Sequence, residues 1–395
     1  MSAGGASAKL IDAATRAGPA ARAVGARLDL LRSAGLRYAW RRMRDRADER
    51  RLRLEDPDAA CRAIWHDAAT ELGARVRDLG DGHLEISRDG RSTRVWRHHV
   101  ALDDPETHRV ALDKALVHQM LVDQALPVPA YAEFDISDTG TPLDFLRRSG
   151  TPCVIKPASG TSGGKGVAGG VMSPLELARA RLSAARYGRR LLIERQVPGE
   201  MHRLLFLDGE LLDVVRRRRP TVVGDGRSTI AELIARENRR RIDEAQRSGL
   251  IRIDLDCVFT LASQGLALKS VPGESQTVIV KTASSENRVE DNETIREISS
   301  ELTNEAAAAV RAVGLRLGGV DAVTPDTSRS LADAGGAIIE INGTPGLDYH
   351  YDVAEPARAT RVAVPILQTL LDQGGNRQTP TNAALSGEAP DRPRA

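Results

Sequence analysis

The stretch GAIIEINGTPG, residues 336–346, constrains this chain more than any other. Successive residues of a strand point to opposite faces, so Glu340 and Asn342 share one face and Ile341 takes the other. The GTPG that follows ends the strand in a tight turn and leaves the polar face open to a ligand. Upstream, GGVDAVTPD (318–326) reads as a neighbouring strand carrying Asp321. An Asp, a Glu and an Asn carbonyl are hard oxygen donors, the kind that hold Mg²⁺ alongside nucleotide phosphates. Asp321, Glu340 and Asn342 are therefore the expected metal ligands.

A second stretch, VIKPASGTSGGKGV (154–167), runs from a strand into a glycine loop. Backbone N–H groups in such a run can converge on an anion, because glycine lacks the Cβ that would forbid the necessary conformations. It is not a P-loop: with Gly164-Lys165 as the G-K pair, Ser159 stands where the first glycine belongs and Gly166 where Ser or Thr belongs. Only six of the 56 basic residues are lysines (Lys9, Lys114, Lys156, Lys165, Lys269 and Lys281). An ammonium is a compact point charge suited to phosphate oxygens, which singles out the two lysines inside this stretch.

Charge and hydropathy exclude several classes. A formal charge of +2 gives no bulk attraction to nucleic acid or membrane. No apolar run approaches the ~20 residues of a membrane span, and the N-terminus lacks the layout of a secretion signal. Cys61, Cys153 and Cys257 are too scattered for a disulfide framework or a CxxC metal site, so reduced thiols in a cytoplasmic setting are expected.

Along the chain, residues 1–78 read as helical and 79–97 as a hairpin about Asp89-Gly90. A helix of about 20 residues is expected before Pro127. Ser173 and Pro174 open a helix, a hairpin turns at Asp208-Gly209, and Ser228 is the expected cap of the next helix. Residues 253–282 read as short strands and turns, and a long amphipathic helix begins near Glu293. This mixture implies an α+β fold. The expected divisions are an N-terminal helical region with a hairpin (1–108), two subdomains (109–200 and 201–372) and a disordered tail (373–395).

From about Asp113 to Leu371 the sequence resembles the ATP-grasp ligases, and among them the ATP-grasp portion of cyanophycin synthetases. The residues carrying the resemblance are DKALVHQMLVDQALPVP, VIKPASGTSGGKGV, LLIERQVPG, PTVVGDGRSTIAELI, SVPG and GGVDAVTPDTSRSLADAGGAIIEINGTPG. It implies an ATP-grasp fold, in which two α+β subdomains clamp ATP, with ATP and Mg²⁺ or Mn²⁺ as cofactors. By the same resemblance Lys114 and Lys156 meet the ATP phosphates, and the 159–166 loop, with Ser162, Gly163, Gly164 and Lys165, forms a lid. The segment Glu194, Arg195 to Val197 binds adenine, and Asp321, Glu340 and Asn342 bind the metal. Met201 stands where relatives carry an acid for the ribose, which leaves two alternatives: Glu200 as the substitute, or weaker ribose contacts. The relatives' R-x-x-x-N pattern becomes Lys281 and Ser285. The large C-terminal ligase domain of cyanophycin synthetases is absent, so cyanophycin synthesis is not expected.

The implied chemistry is ligation of a carboxylate to an amine through an acyl-phosphate. Arg203 and Arg217 are candidates for the transferred phosphate or the carboxylate, since guanidinium binds both bidentately; Lys281 is a third catalytic candidate. The expected partners are small carboxylate and amine substrates, amino acids or peptides, with homo-oligomerisation compatible. Modification of a protein terminus or side chain, phosphotransfer without ligation, and a nucleotide-binding regulatory module are the alternatives.

Overall fold

The structure is a computed structural model that describes residues 11, 13, 15–34, 58–161, 163–243 and 249–373. Ser162, the arginine-rich run 35–57 and the tail expected to be disordered lie outside the described residues. By internal contacts the chain divides into two units, one of residues 1–57 and 103–362, the other of 58–102 and 363–395.

The smaller unit joins two helices, Ala59–Glu71 and Ala363–Gln373, to an antiparallel sheet of β1 (Arg75–Gly80), β2 (His83–Arg88) and β3 (Arg91–Trp96). The β2–β3 turn falls at Asp89-Gly90, as expected, both residues taking positive φ. β1 stands where the end of a helical region was expected; its RVRD alternation pairs with β2 across Asp81-Gly82. Trp65, Leu84, Ile86 and Val95 form its buried interior.

The larger unit holds two principal sheets. One comprises β4 (Tyr131–Asp135), β5 (Cys153–Pro157), β6 (Ala168–Val171) and β7 (Arg190–Arg195), in the order β4-β7-β5-β6. The helix Pro174–Ala184 packs on it, capped by Ser173 through a reciprocal bond with Glu176, as the sequence suggested. The other comprises β8 (Glu200–Leu207), β9 (Glu210–Arg217), β12 (Asn292–Thr294), β13 (Leu317–Thr324) and β14 (Ala337–Asn342), in the order β12-β9-β8-β13-β14. Between β9 and β12 in sequence, β10 (Thr221–Val223) and β11 (Thr277–Ile279) pair as a two-stranded sheet. Antiparallel sheets with helices against them make this an α+β fold, as expected.

Several local expectations are corrected. The single long helix before Pro127 is two, Pro105–Leu112 and Lys114–Asp123, broken at Asp113. Asp113 is extended, and its side chain accepts from the Leu116 N–H, so it caps the second helix. Thr229, not Ser228, exchanges hydrogen bonds with Glu232 at the start of Ile230–Asp243, while the Ser228 hydroxyl donates to Asp225. Residues 255–262 form a helix, because Asp254 caps an apolar run that buries Leu255, Cys257, Phe259 and Leu261. The long amphipathic helix starts at Ser300, behind its Ser299 cap.

Two backbone features shape the centre of this unit. Gly199, at φ +112°, joins β7 to β8; a Cβ there would lie 2.3 Å from the Thr324 carbonyl carbon, so only glycine fits. The β13–β14 register slips between Asp321 and Ala322, which bulges Ile339 out of the ladder. Bulges free a backbone group for other work.

Candidate active site

Strand register assembles a polar row. Asp321 stands opposite Glu340 on β14 and opposite Arg203 on β8, while Arg203 stands opposite Val215, two residues before Arg217 on β9. Directly opposed residues share a face, so Glu340, Asp321, Arg203 and Arg217 line one side of the sheet. Asn342, opposite Gly319, lies two positions further along the same face. The Arg203 guanidinium grips both Asp321 oxygens, at 2.5 and 2.9 Å. That carboxylate holds the arginine's pKa above its ordinary value despite burial. The Asn342 amide nitrogen donates to Gly319 O and to Asp321 Oδ2, both at 3.4 Å.

The two expected phosphate lysines arrive at this row from separate elements. The break at Asp113 sets Lys114 at the first position of its helix, and the Lys114 N–H donates to Ala158 O at 2.8 Å, tying it to the start of the glycine loop. Its Nζ reaches Glu340 Oε1 at 2.9 Å and donates to Thr161 O at 3.3 Å. Lys156, on β5, places Nζ 2.7 Å from Glu194 Oε1 and donates to the bulged Ile339 carbonyl at 3.2 Å. Both lysines are buried. Glu194 is buried too; desolvation opposes its charge, but Lys156 and His118 hold its pKa down to about 2. His118 Nε2 lies 2.9 Å from the same Glu194 oxygen. His118 was missed from sequence, although it stands four residues after Lys114 and so shares its helix face.

The glycine loop has Gly163, Gly164 and Gly166 at positive φ. The Gly163 carbonyl accepts from Arg252 Nη2 at 3.1 Å and from the Ser285 hydroxyl at 3.3 Å. Lys165 is exposed. In the segment expected to hold adenine, the side chain of Glu194 turns to Lys156, Arg195 is exposed and Val197 half-buried. The Arg195 and Gln196 amides donate to Ala130 O and Pro152 O, which anchors the segment. Glu200 meets Arg216 at 3.3 Å.

Lys281 stands apart from this group. Fully buried, its Nζ lies 2.7 Å from Asp254, 3.5 Å from Glu286 and 3.9 Å from Asp256. Burial works against its charge, yet these acids raise its pKa above the ordinary lysine value. Nothing in the sequence pattern pointed to this trio, which comes from a helix cap, the first turn of that helix and the loop after β11.

The donor set suits a hard divalent cation: two carboxylates and an amide on one face, already charge-balanced by Arg203 and Lys114. Among the described residues there is no cluster of three or more His, Cys, Asp or Glu that could hold a metal. A site of this kind would therefore rely on phosphate oxygens and water for its remaining ligands.

No protein-family model matches the chain. A cyanophycin synthetase from Trichormus variabilis is 35% identical over 208 residues, covering 51% of this chain and 23% of its own length. The chain is similar to the cyanophycin synthetases. The glutathione biosynthesis bifunctional protein of Streptococcus mutans is 29% identical over 231 residues, 57% of this chain and 30% of that protein. The chain thus spans about a quarter of the length of the curated relatives it matches. Among solved structures, a bifunctional glutathione synthetase from Pasteurella multocida aligns with a TM-score of 0.49 and 21% identity, over 79% of this chain and 43% of that one. The resemblance read from the motifs is borne out. No helix among the described residues is long and apolar enough to cross a membrane.

Proposed function

We propose that the protein is an ATP-dependent carboxylate–amine ligase acting on amino acids or small peptides. The observation that carries this reading is the meeting of Lys114 and Lys156, from different elements, at Glu340 and at the neighbouring Ile339 carbonyl. The similarity to cyanophycin synthetase supports the same reading.

A substrate carboxylate oxygen attacks the γ-phosphorus of ATP, the bond to the ADP oxygen breaks, and an acyl-phosphate forms. An amine then attacks the acyl carbon, the phosphate leaves with its bonding electrons, and the amine proton passes to solvent. Phosphoryl transfer asks chiefly for positioning and charge neutralisation. Lys114 and Lys156 supply two cations for the phosphates, and Gly163, Gly164 and Lys165 cover them. The segment from Glu194 to Val197 takes adenine, with Glu200 towards the ribose. Arg203 holds Asp321 in place. Mg²⁺ or Mn²⁺ on Asp321, Glu340 and Asn342 would neutralise charge on the transferred group.

The test is turnover of Mg²⁺-ATP with pooled amino acids and small carboxylates. Substrate-dependent ADP, with a product mass equal to two substrates minus water, is expected. AMP in place of ADP would overturn the acyl-phosphate route.

A further inference from the structure

Arg217 differs from every other cation of the row. It is 3% exposed, yet no carboxylate lies within 4.0 Å of it among the described residues. Among the described residues its one side-chain hydrogen bond runs from Nη2 to Ser284 O at 3.2 Å, and its Nε is buried without a partner. Burial depresses its pKa and the charge of nearby Arg203 adds to the depression, which Tyr349 and, without direct contact, Asp321 and Asp348 offset only in part. Arg203 spends its own charge on Asp321. What supports Arg217 instead is an aromatic face: its Cζ sits 3.8 Å from the centroid of Tyr349, a ring that Arg203 also approaches at 5.5 Å.

A cation–π contact offsets far less than the cost of burying an unpaired charge. A positive group held this way in a ligand-facing row is balanced by an anion that arrives from outside. The guanidinium carbon lies over the ring, which leaves the N–H edge for an oxyanion. Half-buried Tyr349 reaches the surface and Arg217 does not, so the ring borders the approach.

We propose that Arg217 and Tyr349 form an oxyanion seat in which Tyr349 determines how the substrate's carboxylate, or the phosphate attached to it, is oriented. Arg203 is then a positioning residue acting through Asp321. The proposal rests on the ligase reading for the identity of the anion, but the seat itself rests on the charge left uncompensated.

The experiment titrates inorganic phosphate and acetate into the full chain by calorimetry, with and without Mg²⁺-ADP, for wild type, Tyr349→Phe, Tyr349→Leu and Arg217→Lys. Cooperative melts confirm that each variant is folded. Tyr349→Phe keeps the ring and should stay within threefold of wild type. Tyr349→Leu should weaken the anion at least tenfold, and Arg217→Lys more, with ADP affinity changed less than threefold. Tighter acetate assigns the seat to the carboxylate; tighter phosphate assigns it to the transferred group. No anion binding by wild type, unchanged binding in Tyr349→Leu, or parallel loss of ADP and anion would overturn the seat. If ADP fails to bind wild type, the nucleotide reading falls, and the anion series without ADP still decides the seat.

Discussion

Two buried lysines of this unit, Lys156 and Lys281, look equivalent in a chain so poor in lysine, and their surroundings make them opposites. Lys156 touches one carboxylate, Glu194, and otherwise a backbone carbonyl. Lys281 faces three, Asp254, Asp256 and Glu286. Around the polar row, Lys114, Lys156, Arg203 and Arg217 stand against Glu194, Asp321 and Glu340, an excess of one positive charge. Around Lys281, it and Arg252 stand against three acids, an excess of one negative charge. A phosphate is drawn to the first region and repelled by the second. Counter-charge, not burial, is what sets these two buried cations apart.

The sharpest way to break that contrast is Lys281→Met. Removing one partner of a buried ionic cluster leaves its acids uncompensated and costs about 3–5 kcal/mol. Urea denaturation should show the loss, while ADP affinity of the folded fraction stays within about threefold. Preserved stability with lost nucleotide binding would place Lys281 on phosphate duty and end the distinction.

Lys114→Met should do the reverse. Its acid partner, Glu340, is 30% exposed in its side chain and can be solvated once the lysine is gone. Stability should change by less than about 1 kcal/mol, in the range of partly exposed pairs. ADP formation should fall by about 10²–10³, the scale for losing one preorganised charge-stabilising group. Steady-state kinetics beside a melting curve separates the two effects.

The third prediction uses pH. Glu194 has its folded pKa depressed to about 2 from an ordinary 4.5, so its contribution is complete above about pH 4.5 and fades as pH falls towards 2. The shift corresponds to roughly 3 kcal/mol. Asp256 has the opposite sign, because burial raises its pKa, and protonating it relieves the Lys281 region. Stability of the wild type should therefore drop across this acid window, along with the other carboxylates of depressed pKa, with a slope that Glu194→Gln reduces. An unchanged slope in that variant would mean that the Lys156 pair does not govern acid stability.

Much of this was legible in the sequence where the information is local. The hairpins at Asp89-Gly90 and Asp208-Gly209, the Ser173 cap and the period-2 placement of Glu340 and Asn342 depend on neighbours within a few residues. The break at Asp113 was missed because the helical period runs through it. What stops the helix there is a tertiary demand: Lys114 N–H bonds Ala158 O, and Asp113 pairs with Arg190 at 2.6 Å. The partners of Lys281 were invisible for a related reason. Asp254 and Asp256 belong to a segment whose alternation suggested strands, and their cap-and-turn geometry appears only once it is helical. Tyr349 lies three residues past the GTPG turn, yet nothing in its neighbours marks it as the ring beneath two arginines.

The smallest expected effect lies where the two regions join. Arg252 pairs with Glu286 of the Lys281 cluster and also donates to Gly163 O on the glycine loop. The Ser285 hydroxyl donates to the same carbonyl. Ser285→Ala removes one of two donors from a partly solvated acceptor, which costs about 0.5–1 kcal/mol at most. Because Arg252 still holds the carbonyl, the loop keeps its position, and Mg²⁺-ATP affinity should weaken by no more than about fivefold. Arg252→Ala in the same background should then cost more than the sum of the single changes, since the second donor is lost as well. Additive losses would mean that the two donors act independently, and that the sealed cluster does not steady the loop over the ligand-facing one.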